Sequence, residues 1–433
     1  MSILIKGASL FGQKTADILI QDNRIVEIGK IATKAKTIVD AAGLIALPGL
    51  VDLHTHLREP GGESAETVAS GSRAAAAGGF TVVHAMANTN PVADNASVVE
   101  LVQELGQKAG LVRVRPVGAV TAGLEGERLS DIGGMAKSKA AVRVFSDDGK
   151  CVSDPLLMRR ALEYVSTFDG VIAQHAQDPV LAGGGLVNEG VISAELGLAP
   201  WPDSAEETII ARDVLLAEAA QARLHVCHLS TAGSVEIVRW AKKRGIRVTA
   251  EVTPHHLLLT EQAIRGYDTN FKVNPPLRKQ EDTLALRKAV ADGTIDIVAT
   301  DHAPHPVSSK KTTFQDAAFG MTGLESALSV VQETLVNEGH LDWVGVSRVL
   351  SMKPAEIGGV SGYDKPLEVG SLANLTLVDS NYSEIWNSDR SFGKSANNPY
   401  LGRPLPGKVI YTIFEGKPTV FDGTIFTNDG TNK

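Results

Sequence analysis

Cysteine is scarce: only Cys151 and Cys227 occur in 433 residues. Two thiols cannot build a disulfide framework, and their separation is not zinc-finger spacing. No uninterrupted apolar run approaches the roughly 20 residues that cross a bilayer. The first residues, Met1-Ser2-Ile3-Leu4-Ile5-Lys6, lack the basic segment, long apolar core and cleavage site of a secretory signal. Dense Lys/Arg runs are also missing and the formal net charge is -8, which argues against nucleic acid or an acidic membrane as partner. No repeat of fixed period and no low-complexity linker is present. What remains is ordinary globular composition, 43% hydrophobic and 21% charged, long enough for one large domain and a smaller one. A soluble cytoplasmic protein is expected.

The two ends of the chain read alike. Ile3 to Lys6, Ala16 to Ile20 and Arg24 to Ile28 are candidate strands, the last two joined by a turn at Asp22-Asn23. Ala373 to Val378, Val409 to Phe414 and Pro418 to Phe421 repeat the pattern at the other end. One small β domain built from residues 1–47 and 365–433 is therefore expected. Residues 48–364 alternate strand and helix instead. Eight candidate strands begin at Leu50, Thr81, Val112, Ala140, Val171, Leu224, Arg247 and Ile295, with helical segments such as Ala65 to Ala77 and Glu206 to Ala222 between them. A parallel (β/α)8 barrel requires such an order, although an open doubly wound sheet also alternates.

Chemistry collects where those strands end. Val51-Asp52-Leu53-His54-Thr55-His56 carries two histidines two residues apart, so both imidazoles leave an extended strand on the same side. The fourth strand runs into Ser146-Asp147-Asp148-Gly149, the fifth ends at His175, the sixth at His228 and the eighth at Asp301-His302. Each has a plainer reading taken alone: His175 and His228 as core histidines, Asp148 as a turn or helix cap, Asp301 as a loop carboxylate, Gly61-Gly62 as a turn. Functional groups of a barrel gather at the C-terminal strand ends, so six such residues at matching ends point to a metal site. Four imidazoles and two carboxylates suit Zn²⁺, with Mn²⁺, Co²⁺ or Fe²⁺ as substitutes. His84 and His225 read as structural, His340 as solvated, and His255 and His256 as packing. Cys227 is left out because strand alternation turns it away from the His228 side.

The motifs His54-Thr55-His56-Leu57-Arg58-Glu59-Pro60-Gly61, Ala87-Asn88-Thr89-Asn90-Pro91, His225-Val226-Cys227-His228, Asn274-Pro275-Pro276-Leu277-Arg278 and Thr300-Asp301-His302-Ala303-Pro304-His305 resemble the dihydroorotases of the amidohydrolase superfamily. The resemblance covers nearly the whole chain. It implies a metal-bearing (β/α)8 barrel with a small β-sandwich made from both termini. By the same resemblance His54, His56 and Asp301 hold one ion, His175 and His228 a second, and Asp148 bridges them. Many superfamily members bridge with a carboxylated lysine from the fourth strand. Here that strand offers Arg143 and no interior lysine, so one or two Zn²⁺ per chain is the expectation.

The implied reaction is reversible closure of N-carbamoyl-L-aspartate to dihydroorotate in pyrimidine synthesis. It uses a metal-activated hydroxide, with Asp301 as general acid and base. Arg58 lies two residues beyond His56, projects from the same end of the first strand and suits a substrate carboxylate. The resemblance adds His56, Asn88 and His305 to that pocket and places Asn274, Phe319 and Gly320 at the ring. Pro306 to Ala318, with Ser308-Ser309-Lys310-Lys311, reads as a polar mobile lid or a solvated loop. A homo-oligomer or a complex with aspartate transcarbamoylase is also implied. Allantoinase and dihydropyrimidinase are rivals whose rings lack the carboxylate that Arg58 would meet. A non-catalytic scaffold would show broken ligand positions, and none of the six is broken.

Overall fold

The computed structural model describes residues 2–363 and 367–426. The domain boundary expected at 364/365 lies outside the described residues, as do both extreme ends. Strands from the two chain ends form one nine-stranded sheet. The join is made by Ile45–Pro48 and Leu375–Ile385, which run antiparallel with Leu375 opposite Pro48 and Val378 opposite Ile45. Alternating apolar residues of these strands share one core, with Ile3, Ile5, Ile18 and Ile20 against Leu375, Leu377 and Ile413. The Asp22-Asn23 turn joins Lys14–Gln21 to Arg24–Gly29, with Asp22 at φ 54°.

The middle of the chain is a (β/α)8 barrel. Its strands are β1 (Leu50–Thr55), β2 (Phe80–Ala85), β3 (Arg113–Pro116), β4 (Val144–Phe145), β5 (Val171–Gln174), β6 (Arg223–Val226), β7 (Val248–Val252) and β8 (Ile297–Val298). Neighbours pair in parallel from β1 to β3 and from β4 to β8. Bridges Gly118↔Phe145 and Thr55↔His302 close the ring. Between strands lie helices with matching end signals: Asn95 and Asp154 cap Ala96–Ala109 and Pro155–Ser166, and Thr231 caps Ala232–Lys243. Among the described residues, no helix is long and apolar enough to cross a membrane.

The barrel interior is filled by Leu53, Met86, Val144, Ala173, Ile297 and Ala299, with Ile357 rising from the short helix Lys353–Ile357 to close the floor. Asp52 secures the seam between first and last strands. Its carboxylate accepts from the Thr300 backbone N–H at 2.9 Å and from the hydroxyls of Thr300 and Thr55, fixing Asp301 beside His54 and His56. His84 also faces inward near the floor, and its Nδ1 donates to the carbonyl of Asp52 at 3.1 Å.

Burial, with the nearby Arg115 guanidinium, pushes the His84 pKa down to about 4. The unfolded chain takes up that proton near pH 6.5 and the folded chain does not, so stability is lost as pH falls from about 6.5 towards 4. In His84→Gln the drop in unfolding temperature between pH 7.5 and pH 5 is expected to be smaller than in the parent; equal drops would locate the acid sensitivity elsewhere.

Candidate metal centre

Five strand ends deliver the cluster. His54 lies in β1 and His56 just past its end; Asp148, His175, His228 and Asp301 follow β4, β5, β6 and β8, and all six are buried. Asp148 is the hub. Its Oδ1 lies 3.2 Å from His54 Nε2, 3.3 Å from His175 Nδ1 and 3.4 Å from His228 Nε2, while Oδ2 lies 3.2 Å from His56 Nε2. Asp301 Oδ1 sits 3.1 Å from His56 Nε2 and 3.5 Å from His54 Nε2. Two ligand groups thus share one carboxylate: His54, His56 and Asp148 on one side, Asp148, His175 and His228 on the other.

Backbone conformation aims these groups. His228 has φ 32° and Asp301 φ 46°, a left-handed region rarely used by side-chain-bearing residues and often found at functional sites. The turn at His228 also explains the place of Cys227. Simple alternation points Cys227 away from the centre, but β6 ends at Val226 and the chain then twists. Cys227 therefore lies in the barrel interior beneath His54 and Glu251, and its thiol pKa is pushed up by burial.

A cation fits this donor set. His54 Nε2 and Asp148 Oδ1 are both buried and make no hydrogen bond, which is costly unless something else satisfies them. Burial alone would lower the His54 pKa, yet the carboxylates of Asp148, Glu251 and Asp301 hold it well above the ordinary value. That attraction for positive charge serves a metal ion equally well.

Above the cluster opens a cavity of about 210 Å³, lined by His56, Arg58, Asn88, Asn274, His305, Phe319 and Gly320 among others. Every site residue read from the sequence lines this cavity except His54, which belongs to the cluster beneath it. Arg58 has φ 63°, and its Nε donates to the carbonyl of Pro304 at 3.2 Å. The amide oxygen of Asn88 accepts from His56 Nδ1 at 2.9 Å, and its NH₂ donates to the carbonyl of Asp148 at 3.4 Å. His305 donates from Nε2 to the carbonyl of Phe319 at 2.7 Å, and burial beside Arg58 lowers its pKa to about 3, so it is neutral. His255 and His256 are buried against neighbouring loops, with His256 Nε2 3.2 Å from the carbonyls of Pro275 and Pro276.

The segment 306–318 differs from its polar appearance. Lys310 is buried, with its ammonium on the carbonyls of Thr269, Lys272 and Ala318, and Lys272 donates to the carbonyls of Phe314 and Gln315. Charge density in the sequence hid this because carbonyl cages satisfy an ammonium without any acidic partner. Two further residues were missed. Gln177 Oε1 lies 2.8 Å from His175 Nε2 and accepts from Asn274 at 2.8 Å, a link with no sequence signal. Glu251 lies 2.6 Å from His54 Nδ1, and an acid inside the buried β7 run Val248-Thr249-Ala250-Glu251-Val252 was the available clue.

Comparison with known proteins now bears on the chain. The family described as Dihydro-orotase-like matches residues 43–234, and the Amidohydrolase family matches residues 201–419. A dihydroorotase of Leifsonia xyli subsp. xyli is 61% identical, over 99% of this chain and 98% of its own. Those of Streptomyces coelicolor and Mycobacterium tuberculosis are 58% and 52% identical, each over 98% of this chain. The chain belongs to the dihydroorotase family. Among solved structures, an L-hydantoinase from Arthrobacter aurescens superposes with a TM-score of 0.87 at 24% identity, covering 98% of this chain and 97% of that one. Likeness at that identity speaks for the shared fold. Membership of the dihydroorotase family makes the chain a metal-dependent cyclic amidohydrolase.

Gly61 keeps the Arg58 loop against the Asn88 loop. At φ 92° it lies so close to Asn90 that a Cβ would overlap the Asn90 carbonyl. Gly61→Ala is expected to destabilise the protein by about 1–3 kcal/mol and to raise KM. Thermal unfolding and steady-state kinetics check both, and unchanged values would show that the loops can part freely.

Proposed function

We propose that the chain catalyses the reversible closure of N-carbamoyl-L-aspartate to dihydroorotate, and that the six clustered residues hold Zn²⁺. One observation carries the reading: the Arg58 guanidinium and the His/Asp cluster line the same small cavity. A cyclic ureide bearing a carboxylate needs both, a cation for the acid and a centre for the ring amide. The naming of full-length relatives as dihydroorotases supports the same choice.

His54, His56 and Asp301 would hold one ion, His175 and His228 another, and Asp148 both. A cation bound there supplies Lewis acidity, for activation of water and for polarisation of the carbonyl. The chain's own groups do the rest. Arg58 binds the substrate carboxylate in a bidentate pair, and Asn88 and His305 complete that side. Asn274 and the backbone of Phe319 and Gly320 meet the ring and fix its plane. Burial favours a protonated Asp301, but positive charge at the His54 and His56 side of the cluster, which a bound cation would supply, holds its pKa well below the usual carboxylate range. Its oxygen is thus ready to accept a proton from water and return it to the ring nitrogen; ring closure reverses these transfers. Cytoplasmic residence, and assembly with a second copy or with aspartate transcarbamoylase, are proposed with the activity.

Asp301→Asn is expected to fold and to keep bound metal while kcat falls roughly 10²- to 10⁴-fold; near-normal turnover would remove Asp301 from proton transfer. Arg58→Met is expected to weaken carbamoyl aspartate binding by about 2–4 kcal/mol, roughly 30- to 700-fold, and to spare uncharged cyclic ureides. An assay of dihydroorotate beside dihydrouracil and allantoin, on protein of measured metal content, tests the whole assignment. Preference for either uncharged ring would overturn it.

A further inference from the structure

Each ligand histidine has a second ring nitrogen, and what holds that nitrogen decides where the first one points. Neutral groups hold two of them, Asn88 behind His56 and Gln177 behind His175. Behind His54 stands a buried carboxylate. Glu251 Oε1 is 2.6 Å from His54 Nδ1, and the same oxygen accepts from the backbone N–H of His228 at 3.2 Å. Its other oxygen, Oε2, lies 3.0 Å from His225 Nε2, whose Nδ1 lies 2.8 Å from the Thr249 hydroxyl.

An ionised carboxylate only accepts, so His225 donates to Glu251 from Nε2, while the Thr249 hydroxyl lies within reach of both His225 Nδ1 and the carbonyl of Leu224. His54 then donates from Nδ1, and the lone pair on its Nε2 faces Asp148. A carboxylate behind a ligand imidazole also makes it a stronger donor to a cation. We propose that Glu251 is a positioning residue of the metal centre: it fixes the ring of His54 and the backbone of His228, and so aims ligands from both halves of the cluster. His225 is its brace. Glu251 touches neither the cavity nor a reacting atom, and it acts only through the two histidines. The inference rests on the metal-dependent reading above.

A merely structural role is the alternative, because Glu251 also ties β1, β6 and β7 together in the barrel interior. Metal affinity and metal-free stability separate the two. Zinc binding is measured by chelator competition on the wild-type protein, on Glu251→Gln, which keeps the shape and removes the charge, and on His225→Asn, which frees Oε2 and leaves the acid. Metal-free unfolding temperature and the visible spectrum of the Co²⁺-loaded protein are recorded for each. The zinc dissociation constant of Glu251→Gln is expected to rise about 10- to 100-fold, with a shifted Co²⁺ spectrum and a metal-free unfolding temperature within about 3 °C of wild type. Its kcat is expected to recover with added zinc while KM stays unchanged. His225→Asn is expected to lose affinity in the same direction by roughly 3- to 10-fold, and it decides the matter if Glu251→Gln does not fold. Unchanged affinity and spectrum, or an affinity loss matched by loss of metal-free stability, would overturn the proposal. Failure of the wild-type protein to bind zinc would instead overturn the metal centre itself.

Discussion

A carboxylate sealed inside a protein has to be answered by positive charge or by hydrogen bonds, and Asp148 has too few of the second. Its two oxygens touch four imidazoles delivered by strands that are distant in sequence. Those rings can answer it as cations, each at its own desolvation cost, or as neutral donors around bound metal. The second arrangement requires the barrel to close accurately. That is why the Asp52–Thr300 seam matters: it sets Asp301 against the first strand, and the two acids then lie buried among the histidines.

The legible part of this molecule was its periodic part. Alternating strand and helix patterns located all eight barrel strands to within a few residues, and the two histidines of His54-Thr55-His56 fell on one side because a strand has a period of two. Legibility stopped where backbone twist replaced periodicity. Cys227 illustrates this: a left-handed turn at His228 cancels the alternation rule, so neighbours in sequence both reach the interior. Lys310 illustrates another limit, since carbonyls that satisfy a buried ammonium carry no residue identity and leave no trace in composition. Glu251 could have been found, being a charge set in an apolar strand.

The barrel and its terminal sheet are shared with hydantoinases, whose sequences diverge far below the level of these dihydroorotases. In this chain the floor of the cavity carries the His/Asp cluster and the rim carries Arg58 and His305. Part of the rim is held by contacts that do not involve the metal ligands, Arg58 braced on Pro304, His305 on Phe319 and the 306–318 segment on buried lysines, whereas Asn88 is tied to His56 and Asn274, through Gln177, to His175. Substrate preference can therefore change through rim loops while the centre stays fixed.

The terminal sheet imposes an order on biosynthesis. Ile45–Pro48 leaves the ribosome long before the strand that covers its edge, Leu375–Ile385. The barrel is complete in sequence before that partner exists, so during translation the N-terminal strands wait with an open edge. A nascent chain stalled or cleaved after the barrel would leave that edge bare and prone to pairing with its neighbours, however well its catalytic half had folded.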